Sequence, residues 1–172
     1  GALTERILAK EVNLRGVEID RDLIEELNLI KLKNRNLDVL NEDILKINLK
    51  DISESKLRIV GNLPYNISSK IMLWSIKNKD MIEDVHFMLQ KEFAERLISS
   101  PNKKSYGRLS ILAQLFFNVE ELFDVPSESF FPEPKVDSLF LRLKPKENKD
   151  LEYLDIECLQ NVTLKAFTKR RK

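Results

Sequence analysis

Asn62, Leu63, Pro64 and Tyr65 form a block of residue types suited to holding a flat molecule that bears an amino group. The Asn side chain offers an amide oxygen, the proline removes a backbone donor and stiffens the turn, and the tyrosine supplies a ring face. Carbonyl oxygens would accept the amino hydrogens while the ring stacks on the planar body. The same four residues would also serve as a plain strand-ending turn with Tyr65 packed on the core, because short motifs recur by chance. Two carboxylates stand in comparable places: Val17-Glu18-Ile19-Asp20 closes one apolar run and Asn41-Glu42-Asp43 closes another. Acidic side chains at such strand ends grip ribose hydroxyls in nucleotide-binding folds. Asp20 is better placed to cap the helix that follows, so Glu18 takes the hydroxyl role. Ile44 and Leu45, next to Asp43, could flank an aromatic ring. Phe130-Phe131-Pro132-Glu133-Pro134-Lys135 is a stiff loop carrying two rings that cannot both hide in so short a segment. Lys103, Lys104 and Arg108 lie in or beside a polar loop; they suit phosphate contact, and an ordinary solvated loop would look the same.

Those residues need elements to position them. Leu57 to Gly61 reads as a strand leading into the Asn62 turn, and Ile67 to Ile76 as a helix with a broad apolar face in which Trp74 belongs to the core. Upstream, Ala2 to about Lys10 is a short helix, Asn13 to Ile19 a strand, Arg21 to about Lys33 a helix, and Leu37 to Leu40 a strand. Lys46 to Lys56 is polar and loop-like. Downstream, Asp84 to Leu89 is a strand and Phe93 to Ser99 a helix. Leu109, Leu112, Ala113 and Phe116 recur at helical spacing, Val119 to Val125 and Val136 to Leu143 are strands, and Leu151 to Phe167 is a helix with Leu154, Cys158, Leu159, Val162 and Phe167 turned inward. The lone histidine, His86, lies mid-strand, which favours a core or supporting role over that of general base. The alternation of strands and helices predicts an α/β fold with ligand contacts at the strand ends.

Composition narrows the class. The chain has 172 residues, 42% hydrophobic and 33% charged, enough for one good core and a small appendage. Its 29 basic and 28 acidic residues leave a formal charge of +1, so any nucleic-acid contact must come from local patches. One cysteine, Cys158, excludes an internal disulfide. No apolar run is long enough to span a bilayer and no charged-then-apolar leader opens the chain, so a soluble cytoplasmic protein without a membrane partner is expected. No ligand set for a metal is visible. Four glycines are few for an α/β nucleotide-binding fold.

Seven stretches then fall into a known order: Gly-Ala-Leu-Thr-Glu at residues 1–5, Val-Glu-Ile-Asp at 17–20, Asn-Glu-Asp at 41–43, Gly-Asn-Leu-Pro-Tyr-Asn-Ile-Ser at 61–68, His-Phe-Met-Leu-Gln-Lys-Glu at 86–92, Tyr-Gly-Arg-Leu-Ser at 106–110 and Phe-Phe-Pro-Glu-Pro-Lys-Val-Asp-Ser at 130–138. Over nearly its whole length the chain resembles the KsgA family, the small-subunit (16S) ribosomal RNA adenine dimethyltransferases. The erythromycin-resistance methyltransferases share the central turn and the Pro-x-Pro loop, whereas Met-Leu-Gln-Lys-Glu and Tyr-Gly-Arg-Leu-Ser look more like the small-subunit enzymes. The resemblance implies a Rossmann-like class I fold dependent on S-adenosylmethionine, and N6,N6-dimethylation of adenosines in small-subunit rRNA during ribosome biogenesis by a monomer. It places Gly1, Glu18, Asp43, Ile44 and Asn62 at the cofactor, with Glu18 on the ribose and Asp43 on the adenine amine. Asn62, Leu63, Pro64, Tyr65 and Phe130 fall at the target base; Lys103, Lys104, Arg108 and Lys135 are, on their charge, the candidate RNA contacts. Phe131 falls where the family varies and carries less weight. The alternatives are a large-subunit rRNA adenine methyltransferase of the erythromycin-resistance type and a ribosome-assembly RNA-binding protein without turnover.

Two departures from the family accompany the resemblance. A strand and a Gly-x-Gly-x-Gly loop would precede Ala-Leu-Thr-Glu, with Gly1 as the last of those glycines, and most of a helical C-terminal domain would follow. Residues 1–145 would then be the catalytic domain lacking its first strand, and 146–172 a linker with the first helix of the second domain. The expectation is a fragment that binds cofactor poorly. Its absent first strand would lie between the strands at Asn13–Ile19 and Leu57–Gly61.

Overall fold

The computed structural model describes residues 2–147, 151 and 154–168. The chain divides into two compact units, Gly1–Asp51 and Ile52–Lys172, and each carries its own sheet.

The first unit is a β-α-β arrangement preceded by a short helix. Helix α1 (Ala2–Leu8) leads through Glu11, whose φ of 58° is left-handed, into strand β1 (Leu14–Glu18). Helix α2 (Arg21–Lys33) follows, and strand β2 (Leu37–Asn41) returns parallel to β1, pairing Leu14 with Leu37 and Glu18 with Asn41. The start of α2 is set by Asp20, whose side chain accepts the Asp22 N–H at 2.9 Å, and its last turn carries Lys31 and Lys33, as the helix dipole favours. Asp38 on β2 receives Arg15 at 3.0 Å and Lys31 at 3.1 Å, which ties both flanking elements to the strand. The Lys31 hydrogen bond holds the Asp38 carboxyl below its ordinary range. Leu8, Leu37 and Leu49 are the buried apolar residues here. Residues 44–46 and 49–51, read from sequence as loop from Lys46 onward, wind into two short 3-10 turns.

The second unit is built on four strands in the order β3-β4-β6-β5. Strand β3 (Leu57–Asn62) runs parallel to β4 (Ile82–Gln90), and β6 (Ser138–Pro145) lies antiparallel between β4 and β5 (Phe117–Val125). Helix α3 (Ser68–Lys77) joins β3 to β4, while α4 (Lys91–Ile98) and α5 (Arg108–Phe116) join β4 to β5. Alternation along the strands splits the sheet chemically. Val85, Phe87, Leu89, Leu139, Leu141 and Leu143 are almost wholly buried, together with Ile71, Trp74 and Ile76 of α3 and Leu97, Leu112 and Phe116 of α4 and α5. The intervening positions carry Asp84, His86, Met88, Phe140 and Arg142.

Three expectations shift. Strand β5 begins at Phe117, two residues before Val119, because Phe116 and Phe117 are both buried and helix passes directly into strand. Strand β6 is displaced to Ser138–Pro145, which leaves Val136 outside it and 43% exposed. Helix α6 (Ile156–Thr168) starts later than Leu151, because the Asp155 side chain accepts the N–H groups of Glu157 and Cys158 and sets the first turn. That start turns Leu159, Thr163 and Phe167 inward. Cys158 and Val162, expected inside, are exposed, and Thr163 is 5% exposed with its hydroxyl donating to the Leu159 carbonyl. Among the described residues no helix is long and apolar enough to cross a membrane.

Candidate functional site

In the second unit the site begins where β3 ends. Gly61 and Asn62 are its last residues, and the chain leaves through Leu63 and Pro64 into a 3-10 turn at Tyr65–Ile67 that runs straight into α3. Two bonds close the turn: the Ile67 N–H donates to the Pro64 carbonyl at 3.1 Å, and the Ser68 hydroxyl donates to the Tyr65 carbonyl at 3.0 Å. The Leu63 side chain folds back over Gly61 so closely that a Cβ there would lie 3.2 Å from its Cδ2. A side chain there would have to press Leu63 aside, and nothing in the position calls for glycine's dihedral freedom. Asn62 is exposed, and neither its side-chain amide nor the Leu63 carbonyl oxygen is taken by a hydrogen bond among the described residues. The turn therefore presents two unused acceptors.

Tyr65 is 36% exposed, so packing on the core is not its whole environment. Its phenol lies 3.2 Å from the hydroxyl of Ser138, the first residue of β6, which is itself 1% exposed. One residue earlier, Asp137 ties down the segment carrying Phe130. Its side chain accepts the Ser127 N–H at 3.0 Å and its carbonyl accepts the Lys91 N–H at 3.0 Å. Within that segment the Ser127 hydroxyl donates to Glu133 at 3.0 Å, and the Phe130 N–H closes a short turn on the Ser127 carbonyl at 3.1 Å. Phe130 is half-buried and Phe131 stands fully in solvent, so only one of the two rings hides, as the sequence required.

In the first unit Glu18 and Asp43 sit at the carboxyl ends of neighbouring parallel strands. Glu18 and Asn41 are register partners, and the Glu42 N–H and Asn41 side chain both donate to the Glu18 carbonyl, at 3.0 and 2.9 Å. One carboxylate oxygen of Glu18 accepts the N–H groups of Ile19 and Asp20, at 2.8 and 2.9 Å. Its other oxygen has no partner among the described residues. Asp43 follows the same plan: Oδ1 accepts the Leu45 N–H at 3.0 Å and Oδ2 has no partner among the described residues. Each backbone clamp fixes the carboxylate while leaving one oxygen for a ligand hydroxyl or amine. Ile44 is half-buried beside Asp43. Gly1 lies outside the described residues.

Lys103 and Lys104 are exposed in the loop between α4 and α5, Arg108 begins α5 half-buried, and Lys135 is exposed in the Phe130 loop; none has an ion-pair partner among the described residues. Asn102, with φ of 72°, and the paired Ser99 and Ser105 hydroxyls at 2.8 Å shape the Lys103 loop.

The residue that sequence reasoning missed is Asp84. It is 1% exposed, receives Arg58 through two hydrogen bonds of 2.6 and 2.9 Å, and lies 3.3 Å from Arg142. The Arg58 hydrogen bond holds its carboxyl below the ordinary value. His86 Nδ1 stands 3.5 Å from the same carboxylate without a hydrogen bond, and burial pushes its pKa down. A neutral, half-sheltered His86 fits the supporting role expected of it. A charge inside a strand's alternation was the available signal, but Asp84 read simply as a strand's first residue. Among the described residues no group of His, Cys and carboxylates could hold a metal.

A family model described as "Ribosomal RNA adenine dimethylase" matches residues 1–172. The chain belongs to the ribosomal RNA adenine dimethylase family. Its relatives include the ribosomal RNA small subunit methyltransferase A of Francisella tularensis subsp. novicida (strain U112), 43% identical over 175 residues and matched over 100% of this chain and 66% of that protein. Among solved structures, a dimethyladenosine transferase from Plasmodium falciparum superposes with a TM-score of 0.78 at 31% identity, covering 92% of this chain and 56% of that one. The 23S rRNA methyltransferase ErmE gives a TM-score of 0.71 at 26% identity over 91% of this chain and 62% of its own. The chain thus spans just under two thirds of the curated relative and less of the solved structures. The fold is the Rossmann-like fold of class I S-adenosylmethionine-dependent methyltransferases. In this family member the antiparallel β6 lies between β4 and β5, and β5 forms that edge of the second unit's sheet.

Proposed function

We propose that the protein carrying this chain transfers methyl groups from S-adenosylmethionine to N6 of adenosines in small-subunit ribosomal RNA, twice per adenosine, acting as a cytoplasmic monomer. One observation carries the reading: the exposed Asn62 amide and the unused Leu63 carbonyl stand at a strand end beside the partly exposed Tyr65 ring, on a chain matched throughout by the dimethylase family. The free oxygens of Glu18 and Asp43 suit ribose hydroxyls and an adenine amine, with Ile44 against the adenine ring. When bound, the cofactor supplies an electrophilic methyl group on a sulfonium.

The chain's own residues do the positioning. An adenine amine is a weak nucleophile because its lone pair is delocalised into the ring. Asn62 and the Leu63 carbonyl accept its two N–H bonds, which turns the lone pair out of conjugation and toward the methyl group. Pro64 keeps the turn stiff and offers no competing N–H. No strong base is needed before attack, so orientation is the main catalytic device. Taking the base out of its stack costs a few kcal/mol, and stacking on Tyr65 and Phe130 returns roughly 1–3 kcal/mol per ring. Lys103, Lys104, Arg108 and Lys135 hold RNA phosphates.

The test is methylation of purified ribosomal subunits by the full-length protein with labelled cofactor, followed by mapping of the labelled bases. Dimethyladenosine in small-subunit RNA is expected. Label in large-subunit RNA would instead favour the reading that the likeness to ErmE suggests, and no transfer to either would leave an RNA-binding assembly protein.

A further inference from the structure

Two aromatic residues that must face the same base come from distant parts of the chain, and the residues that hold them are adjacent. Ser138 meets the Tyr65 phenol at 3.2 Å, while Asp137 accepts the Ser127 N–H at the root of the Phe130 loop at 3.0 Å. Both stand on a firm base. Ser138 pairs in register with Gln90 on β4 and Val125 on β5, and the Asp137 carbonyl accepts the Lys91 N–H at the start of α4. Ser138 is 1% exposed, and the one partner of its hydroxyl among the described residues is the Tyr65 phenol. A buried hydroxyl aimed at a partly exposed ring is a poor way to gain stability, since an apolar residue would fill the position without a polar group to satisfy. It is a good way to fix where the ring points.

We propose that Asp137 and Ser138 are positioning residues that hold the two rings of the base clamp in one frame: Ser138 sets the Tyr65 ring and Asp137 sets the loop carrying Phe130. The proposal rests on the adenine-methylation reading for its consequence, not for its geometry. Neither residue touches the base. Each acts through an aromatic neighbour, and their adjacency makes the two rings move as a pair with the β6 terminus.

The experiment has an arm that does not depend on catalysis. In the full-length protein with tyrosine rings labelled for carbon NMR, Ser138→Ala is expected to shift or broaden the Tyr65 ring signal while Tyr106 stays unchanged. An unmoved Tyr65 signal overturns the proposal whatever the enzyme methylates. The second arm uses methyl transfer to small subunits. Ser138→Ala and Tyr65→Phe should each lower kcat about 3- to 10-fold, the range of one hydrogen bond, with cofactor affinity unchanged. The double variant should be no worse than either single one, because both remove the same bond. Additive losses would show that Ser138 acts elsewhere and would also overturn the proposal. Tyr65→Phe changes only a partly exposed ring, so it carries the rate test if Ser138→Ala does not fold. Failure of the wild-type protein to methylate small subunits would count against the function reading alone, because the NMR arm still decides the geometry.

Discussion

Arg58 grips Asp84 through two hydrogen bonds, at 2.6 and 2.9 Å, across the parallel β3–β4 register, although the Arg58 side chain is 62% exposed and the Asp84 side chain only 2%. The buried partner therefore depends on the exposed one. Arg58→Ala leaves the buried Asp84 carboxylate with only the longer 3.3 Å contact to Arg142, and stranding a buried charge in this way costs about 3 kcal/mol. Asp84→Ala should cost less, since the arginines it leaves reach solvent and Arg142 keeps Glu120 at 3.7 Å. Urea unfolding of both variants checks the order. Equal, sub-kilocalorie effects would show that the pair is merely surface decoration.

The same cluster sets a pH dependence. Asp84 has a folded-state pKa below 3.8, chiefly through its bond to Arg58, so between the folded and unfolded values the unfolded chain holds the extra proton. Its stabilisation is complete above that unfolded value and is lost as the pH falls through the folded one. Burial lowers His86 below 6.5, so protonation in that region also favours the unfolded chain. Stability should therefore begin to fall below pH 6.5 and fall further below pH 3.8. In a pH series of thermal unfolding, His86→Phe should flatten the upper limb and leave the lower one. An unchanged upper limb would assign it to another group.

Neighbouring carboxylates at the end of β1 should separate cleanly. Asp20→Ala removes the cap that accepts the Asp22 N–H and should cost about 1 kcal/mol in stability with little effect on cofactor affinity. Glu18→Ala should do the reverse: calorimetry on the full-length protein should show a cofactor affinity weakened by about tenfold or more, as expected when a charged acceptor of ligand hydroxyls is lost. An unchanged affinity in Glu18→Ala would make that residue a structural clamp for its own turn.

Much of this was legible in the residues. The bounds of α2 coincide with the expected Arg21 to Lys33, because a capping Asp20, an apolar period and terminal lysines agreed with one another. The strand-end positions of Glu18, Asp43 and Asn62 followed from short apolar runs ending in polar residues. What could not be read were long-range partners. Nothing local to Tyr65 says that its phenol ends beside Ser138, and nothing local to Asp84 says that two arginines converge on it. The inward face of α6 was misjudged for a related reason. Counting apolar residues favoured Cys158 and Val162, whereas the Asp155 cap sets a register that buries Thr163.

Gly61→Ala tests how tightly the turn is built. The added methyl would sit 3.2 Å from Leu63 Cδ2 and 3.6 Å from Phe87, so Leu63 must give way. Stability should fall by only about 1 kcal/mol, in the ordinary range for small overpacking. Methyl transfer should fall more steeply, because the Leu63 carbonyl moves with its side chain. Loss of stability without loss of rate would detach the carbonyl from the chemistry.

Asn62→Ala and Tyr65→Ala should fail in different ways. Asn62 presents an exposed amide, without a partner among the described residues, at the end of β3, so its loss removes an acceptor for the reacting amine and should lower kcat far more than cofactor affinity. Tyr65→Ala removes a stacking face worth roughly 1–3 kcal/mol and should weaken both the rate and productive RNA binding. Single-turnover rates and binding isotherms on the full-length protein separate the two. A matched loss of rate and cofactor affinity in Asn62→Ala would make it a cofactor-binding residue only.

Basic loops make the last prediction, because their contribution scales with salt in a way that stacking does not. Lys103 and Lys104 are exposed, and neither has an ion-pair partner among the described residues. If each neutralises one RNA phosphate, replacing both by glutamine should lower the slope of log affinity against log salt by roughly 1.4–1.8, the counterion release of two contacts. Affinity should weaken for any RNA of similar charge, without a change in which adenosine is methylated, since phosphate contacts position and do not specify. Tyr65→Ala, by contrast, should weaken binding with the salt slope unchanged. A slope that stays at the wild-type value in the Lys103→Gln, Lys104→Gln variant would place the RNA elsewhere and return that loop to ordinary solvated surface.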